Sequence, residues 1–184
     1  KEDIYLKDVA VSESGKYIAY TENSYGRFSV YLRDMNTGNK TRVLKGGYQV
    51  EKEHIDQDLP LIDFAGDNLL GIVYFKRGFL YLSTYHLETG LFNEKPLSRF
   101  NQVKSFSLNK NGRLAIISGD TDGQSDLFLV SVLRNSVRRI TSDIFDDIDP
   151  TFIPGTAAIV FSSNRPSDAL NIADTSIKNL NNHF

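Results

Sequence analysis

Cysteine and tryptophan are absent from this 184-residue chain, which has a single methionine and only five prolines. Without cysteine there can be no disulfide, thiolate zinc site, iron–sulfur cluster or thiol nucleophile. That absence does not identify a compartment. An excess of either charge is also missing: 21 Lys and Arg stand against 23 Asp and Glu, for a net charge of −2. A chain so near neutrality has no electrostatic footprint for nucleic acid or for an anionic membrane surface, and no nucleic-acid partner is expected. No apolar run approaches the ~18 residues of a membrane-spanning segment, so no membrane insertion is expected. The chain opens at Lys1 with neither Met nor a signal sequence, which reads as a processed or trimmed piece. What is present is the balance of a globular protein, with 40% hydrophobic and 24% charged residues, nine Tyr and twelve Phe. That is enough for one domain with its own core or for part of a larger one.

The strongest internal signal is a repeat. Gly15 and Gly112, Gly26 and Gly123, Tyr31 and Phe128, Leu32 and Leu129, and Arg42 and Arg139 are all 97 positions apart. The frame runs without a gap from Val9 to Leu44. Two glycines and several apolar positions in one frame are hard to obtain by chance. A period of 97 is about twice ~45, near the length of a four-stranded propeller blade. A further unit should therefore lie between the two. Leu59 to Leu97 indeed reads as four strands joined by turns, with Ile72-Val73-Tyr74 matching Ile18-Ala19-Tyr20 and Ala115-Ile116-Ile117. A fourth unit opens near Asp149, with the spacing of Pro150 to Ile159 repeating that of Val9 to Ile18.

Each unit reads as β structure. Short runs rich in Val, Ile, Tyr and Phe are separated by Ser14-Gly15, Asn111-Gly112, Asn36-Thr37-Gly38 and Glu88-Thr89-Gly90. No window sustains a helical period. Strands are expected over 8–11, 17–20, 29–34 and 41–44 in the first unit. In the third they are expected over 104–108, 113–117, 126–132 and 138–141. The fold class is therefore all-β: propeller blades of four antiparallel strands. The blades fall at about 4–47, 54–100, 101–146 and 147–184 in a single propeller region, 1–184. A β-sandwich would not align with itself without gaps. The last unit is incomplete. Leu170–Ala173 either forms a third strand or belongs to an insertion, and no fourth strand follows. Three and a half to four blades are few for a closed ring, and an unfinished blade leaves a raw sheet edge. The chain is therefore expected to be part of a larger propeller, its open edge paired with another chain or with missing blades.

The fourth unit, Asp149-Pro150-Thr151-Phe152-Ile153-Pro154-Gly155 followed by Ile159-Val160-Phe161-Ser162-Ser163-Asn164-Arg165, resembles the repeat of TolB-like propellers. That repeat runs Asp-x-x-Pro, a strand, a Pro-Asp-Gly turn, an Ile-x-Phe-x-Ser strand and then Arg. In the third unit, Asp126-Leu127-Phe128-Leu129 and Arg138-Arg139-Ile140-Thr141 are similar to the family's Asp-Ile-Tyr-Val strand and Arg-x-Leu-Thr ending. Ser12 to Tyr20 carries the resemblance in the first unit. The second unit departs from the pattern, with Asp67-Asn68 where the turn glycine is expected and a short Lys76-Arg77-Gly78 turn. The resemblance implies the propeller fold and a place in the bacterial periplasm or cell envelope. Related repeats also occur in the gating propellers of prolyl-oligopeptidase-like peptidases, so fold alone does not fix function.

The sequence offers no catalytic constellation. His54, His86 and His183 lack a partner at metal-ligand spacing and read as ordinary turn or surface residues. Gly123-Gln124-Ser125-Asp126 begins like a nucleophile elbow but lacks its second glycine. No phosphate loop occurs. No catalytic, metal or cofactor-binding residue and no cofactor is expected.

Two acidic groups are candidate loop contacts. Asp120 and Asp122, with Gly123 and Asp126, alternate oxygens in a way that superficially suits Ca²⁺. The distal Glu of an EF-hand loop is missing, and the matching Asn23-Ser24-Tyr25-Gly26 keeps only the glycine. A hairpin turn accounts for both. Asp143, Asp146, Asp147 and Asp149 fall in the approach to an innermost strand. The family resemblance implies that some of them brace blade turns by accepting backbone N–H groups; the sharper alternative is a cation or basic-partner site. Most aromatics fall in strands and read as core, whereas Tyr25 and Phe92 are the better candidates for exposed contacts.

The reading that follows is a non-catalytic binding or scaffold module of a bacterial envelope protein, with a protein partner. The alternative is the substrate-gating propeller of a serine peptidase whose catalytic domain lies outside this chain. Carbohydrate recognition ranks third and is weakened by the lack of Trp.

Overall fold

The computed structural model describes residues 5–24, 26–47, 59–121 and 123–166. Tyr25, Asp122, His54, His183 and the Leu170–Ala173 segment lie outside the described residues. The chain divides into two compact units, Lys1–Arg99 and Phe100–Phe184.

In the first unit, β1 (Tyr5–Val11), β2 (Tyr17–Ser24), β3 (Arg27–Asp34) and β4 (Lys40–Gly47) form one antiparallel sheet in chain order. A second sheet repeats that order with β5 (Leu61–Ala65), β6 (Leu69–Lys76), β7 (Phe79–His86) and β8 (Phe92–Pro96). The alternation in β3 shows why these runs are strands. Phe28, Val30 and Leu32 are buried on one face, while Arg27, Ser29, Tyr31 and Arg33 lie on the other. The buried face meets the second sheet, where Ile62, Phe64, Leu70, Ile72 and Tyr74 complete the core. Each fully buried large apolar side chain contributes about 1.5–3 kcal/mol, so this face-to-face contact dominates the unit's stability.

The second unit holds β9 (Gln102–Leu108), β10 (Leu114–Asp120), β11 (Ser125–Ser131) and β12 (Val137–Arg139) in a third sheet of the same order. A two-stranded sheet follows, β13 (Asp147–Phe152) with β14 (Ile159–Ser163). Ile116, Leu127 and Leu129 of the third sheet pack against Phe152, Ile159 and Phe161. Gly119 leaves room for the ring of Phe100, which stands edge-on to Phe128 with centroids 4.9 Å apart. Among the described residues the architecture is blade-like antiparallel sheets without a helix, as the sequence leads one to expect.

Polar ties between neighbouring sheets also recur. Asp8 and Ser105 occupy matching places 97 positions apart, and each accepts an N–H from the first strand of the next sheet. Ile62 donates to the Asp8 carboxylate at 2.8 Å, and Asp149 donates to the Ser105 hydroxyl at 2.9 Å. In the first unit the Asp67 carboxylate also accepts the Ser14 amide and hydroxyl, at 2.8 and 2.7 Å. The missing turn glycine of the second sheet is explained by a displacement. Gly66, one place before Asp67, takes the left-handed conformation (φ 61°). The turn between the first two strands is correspondingly shorter there, and the gapless frame fails at that point.

Candidate functional site

In the second unit the β10–β11 hairpin and the loop between β12 and β13 are linked by hydrogen bonds. The Asp120 carboxylate accepts the Gly123 amide at 2.5 Å, and Gly123 sits at φ 89°, as a hairpin turn requires. Two further bonds cross to the neighbouring loop. The Ser125 amide donates to Asp146 at 3.0 Å, and the Gln124 side chain donates to the Ile144 carbonyl at 3.4 Å. Phe145 donates its amide to Asp143 at 2.9 Å, closing the 143–145 turn locally. Asp146 is held from the other side by Asn164, which accepts its amide at 2.9 Å.

Arg165 is the centre of this arrangement. Its guanidinium donates to both oxygens of Asp147, one of them at 2.9 Å, to Asp143, and to the Ser163 hydroxyl at 2.7 Å. It lies 5.8 Å from the centre of the Phe145 ring and 6.0 Å from that of Phe161. The planar five-donor fork suits two carboxylates at once. Asp147 is fully buried and Arg165 nearly so. Asp147 hydrogen bonding and charge, followed by Asp143, outweigh burial and raise the Arg165 pKa further above its ordinary value. Burial pushes the Asp143 carboxyl up, but the Arg165 bonds and charge and the Phe145 amide together hold it below its ordinary value.

The four clustered acids are thus not equivalent. Asp143 and Asp147 clasp one arginine, whereas Asp146 accepts a backbone amide. Asp149 stands apart on β13, at a bulge between Ile148 and Thr151, with φ 53° and its amide tied to Ser105. Among the described residues no group of three His, Asp or Glu could hold a metal ion. Tyr25 and Asp122 lie outside the described residues. Phe92, expected at a contact surface, is half-buried against the core of the first unit.

Sequence reasoning gave Arg165 no role of its own. The signal was its place directly after the Ile-x-Phe-x-Ser strand, close to four acids that need a cation. Asp126 and Arg139 form a comparable pair within the third sheet, where Thr141 also accepts the Leu127 amide at 2.9 Å. What remains exposed here is the rim, above all Ile144 at 76%. A braced loop that holds an aliphatic side chain in solvent can bury it against another molecule.

No family model and no curated protein matches the chain. Among solved structures it is similar to bacterial propellers. TolB from Acinetobacter baumannii superposes with a TM-score of 0.68 at 17% identity, over 90% of this chain and 39% of that one. A TolB assigned as such in Agrobacterium tumefaciens gives 0.66 at 17% identity, over 85% of this chain and 53% of that one. The β-propeller domain of the Trilobed protease from Pyrococcus furiosus, described as having an open velcro topology, gives 0.52 at 14% identity over 76% of this chain and 44% of that domain. The fold is therefore that of a β-propeller. It is, more particularly, TolB-like. The chain spans about two fifths and one half of the two TolB structures it resembles.

Proposed function

We propose that this chain is a non-catalytic binding or scaffold module of a bacterial envelope protein, acting in the periplasm and engaging a protein partner through the 123–125 and 143–147 loops. The observation that carries this reading is Ile144: an exposed aliphatic side chain on a loop anchored by Arg165, Asn164 and Ser125. Pre-ordered loops lose little entropy on binding, and a rigid sheet scaffold presenting them suits recognition. The envelope location rests on the TolB likeness.

The test is capture from bacterial envelope extract by the wild-type chain and by Ile144→Asp. One specific protein retained by the first and lost by the second is expected. No specific capture, or capture insensitive to the substitution, would count against this reading. The likeness to the Trilobed protease propeller favours one alternative, a substrate-gating propeller beside a serine hydrolase domain. A Gly-x-Ser-x-Gly segment elsewhere in the complete reading frame would support that alternative, and its absence would remove it.

A further inference from the structure

Asn111-Gly112 is the single Asn-Gly pair in the chain. Asparagine is thermally labile, and a following glycine leaves the next backbone nitrogen unshielded and its backbone free to turn. Once it gives up its proton to a base in solvent, the Gly112 nitrogen can attack the side-chain carbonyl carbon of Asn111. A new C–N bond closes a cyclic imide, the Cγ–Nδ2 bond breaks, and the nitrogen leaves as ammonia with a proton from water. Water then opens the imide at either carbonyl, which leaves aspartate or isoaspartate at position 111. The net change consumes one water and releases one ammonia, with no oxidant or reductant.

The fold holds every group that this step needs. Asn111 is exposed in the turn between β9 and β10. The attacking nitrogen is occupied, because the Gly112 amide donates to the Asn109 carbonyl at 2.8 Å, with Gly112 at φ 67°. The attacked carbonyl is fixed as well, since its oxygen accepts the Arg113 amide at 3.0 Å. Asn109 pins the turn. Its side-chain oxygen accepts the Arg113 and Leu114 amides, both at 3.0 Å, and its own amide donates to the Leu114 carbonyl at 2.9 Å. The proton that must leave is thus held in a hydrogen bond, and the reacting atoms are not free to meet while the turn is closed.

We infer that Asn111 is a self-modification site gated by the fold: the closed turn keeps it asparagine, and opening of the turn commits it to deamidation. The gate works in one direction. Isoaspartate routes the main chain through the former side-chain carbons, so the ring closed by the Asn109–Gly112 bond gains an atom and the turn cannot reform as it was. An ordinary aspartate still offers an oxygen to the Arg113 amide. Neither Ile144 nor Arg165 takes part, and the turn lies at the end of β10 away from the Gly123 hairpin. The site is therefore independent of the proposed loop-mediated function.

The test is incubation of the 184-residue chain at mildly alkaline pH, folded in buffer and unfolded in guanidinium chloride. Chymotryptic peptide mapping then reads aspartate and isoaspartate at position 111. In the unfolded chain, position 111 should convert before any other asparagine. In the folded chain it should convert at least about tenfold more slowly, since opening the turn breaks several hydrogen bonds. Asn109→Ala, which removes the pin, should speed conversion in the folded state, whereas Asn109→Asp, which keeps an acceptor there, should not. If Asn109→Ala loses its strand circular dichroism, wild type in rising sub-denaturing guanidinium replaces it, and the rate should climb with denaturant. Asn111→Asp should melt close to wild type, and the purified isoaspartate form should melt lower. Equal rates in the folded and unfolded chains, another asparagine converting first, a folded rate indifferent to the loss of the pin or to denaturant, or an isoaspartate form that melts with Asn111→Asp would overturn the inference.

Discussion

Arg165 shows how one side chain can decide the state of several others. Its guanidinium neutralises Asp147, which has no exposure to water, and at the same time fixes Asp143 at the mouth of the loop. Replacing Arg165 by Met would leave a buried carboxylate unpaired, which typically costs about 3–5 kcal/mol. The urea midpoint of Arg165→Met should fall accordingly, and Arg165→Lys should recover only part of the loss, since an ammonium cannot span both carboxylates. Adding Asp147→Asn to Arg165→Met should cost less than the two single effects summed. Additive losses would contradict the pairing. Asp149 makes a second point at this scale. Its left-handed backbone favours Asn, Asp or Gly. Asp149→Ala should destabilise by about 1 kcal/mol and Asp149→Gly by less, as read from thermal midpoints.

At the scale of elements, the β6–β7 hairpin has only Arg77 and Gly78 between paired Lys76 and Phe79, and both have positive φ, 52° and 84°. A two-residue turn of this type prefers Asn-Gly. Arg77→Asn should therefore raise stability, by about 0.5–1 kcal/mol in chemical denaturation; a loss would argue against this turn geometry. The outer strands display a different device. Lys40, Arg42 and Lys45 on β4, Lys95 and Pro96 on β8, and Arg138 and Arg139 on β12 discourage unwanted edge pairing.

The strands were legible in the sequence because a period of two and a glycine-marked turn are local signals. The four-strand order in the first and third sheets follows from them directly. Strand ends were less legible. The expected strand over 138–141 is observed as Val137–Arg139, because Thr141 leaves the ladder to bond Leu127 and Asp126 through its side chain. The clasp of Arg165 was not legible at all. Its two acids lie 22 and 18 positions away, and which acids an arginine reaches depends on the fold of the loop.

Across the whole molecule, stability should depend on acid pH with a definite sign. Several carboxyls lie below their ordinary values. Lys76 and then Tyr74 hold Glu94 down, the Ser14 amide and hydroxyl lower Asp67, and the Thr37 amide lowers Asp34. Asp143 joins them through Arg165, against the opposing effect of its burial. A depressed folded value means that the stabilisation is present above the ordinary values of 3.8 to 4.5 and is lost as pH falls through the folded ones. The thermal midpoint should therefore fall steeply below about pH 4. Asp67→Asn with Glu94→Gln should lower the neutral-pH midpoint and flatten that acid limb. An unchanged slope would show that these groups do not control it.

The most direct measurement for the central claim is amide hydrogen exchange of the chain with and without the partner captured from envelope extract. Slowed exchange confined to 123–125 and 143–147 is the result expected of a propeller module that binds through those loops. Protection confined to the opposite turns, 109–113 and 153–158, or no protection at all, would contradict it.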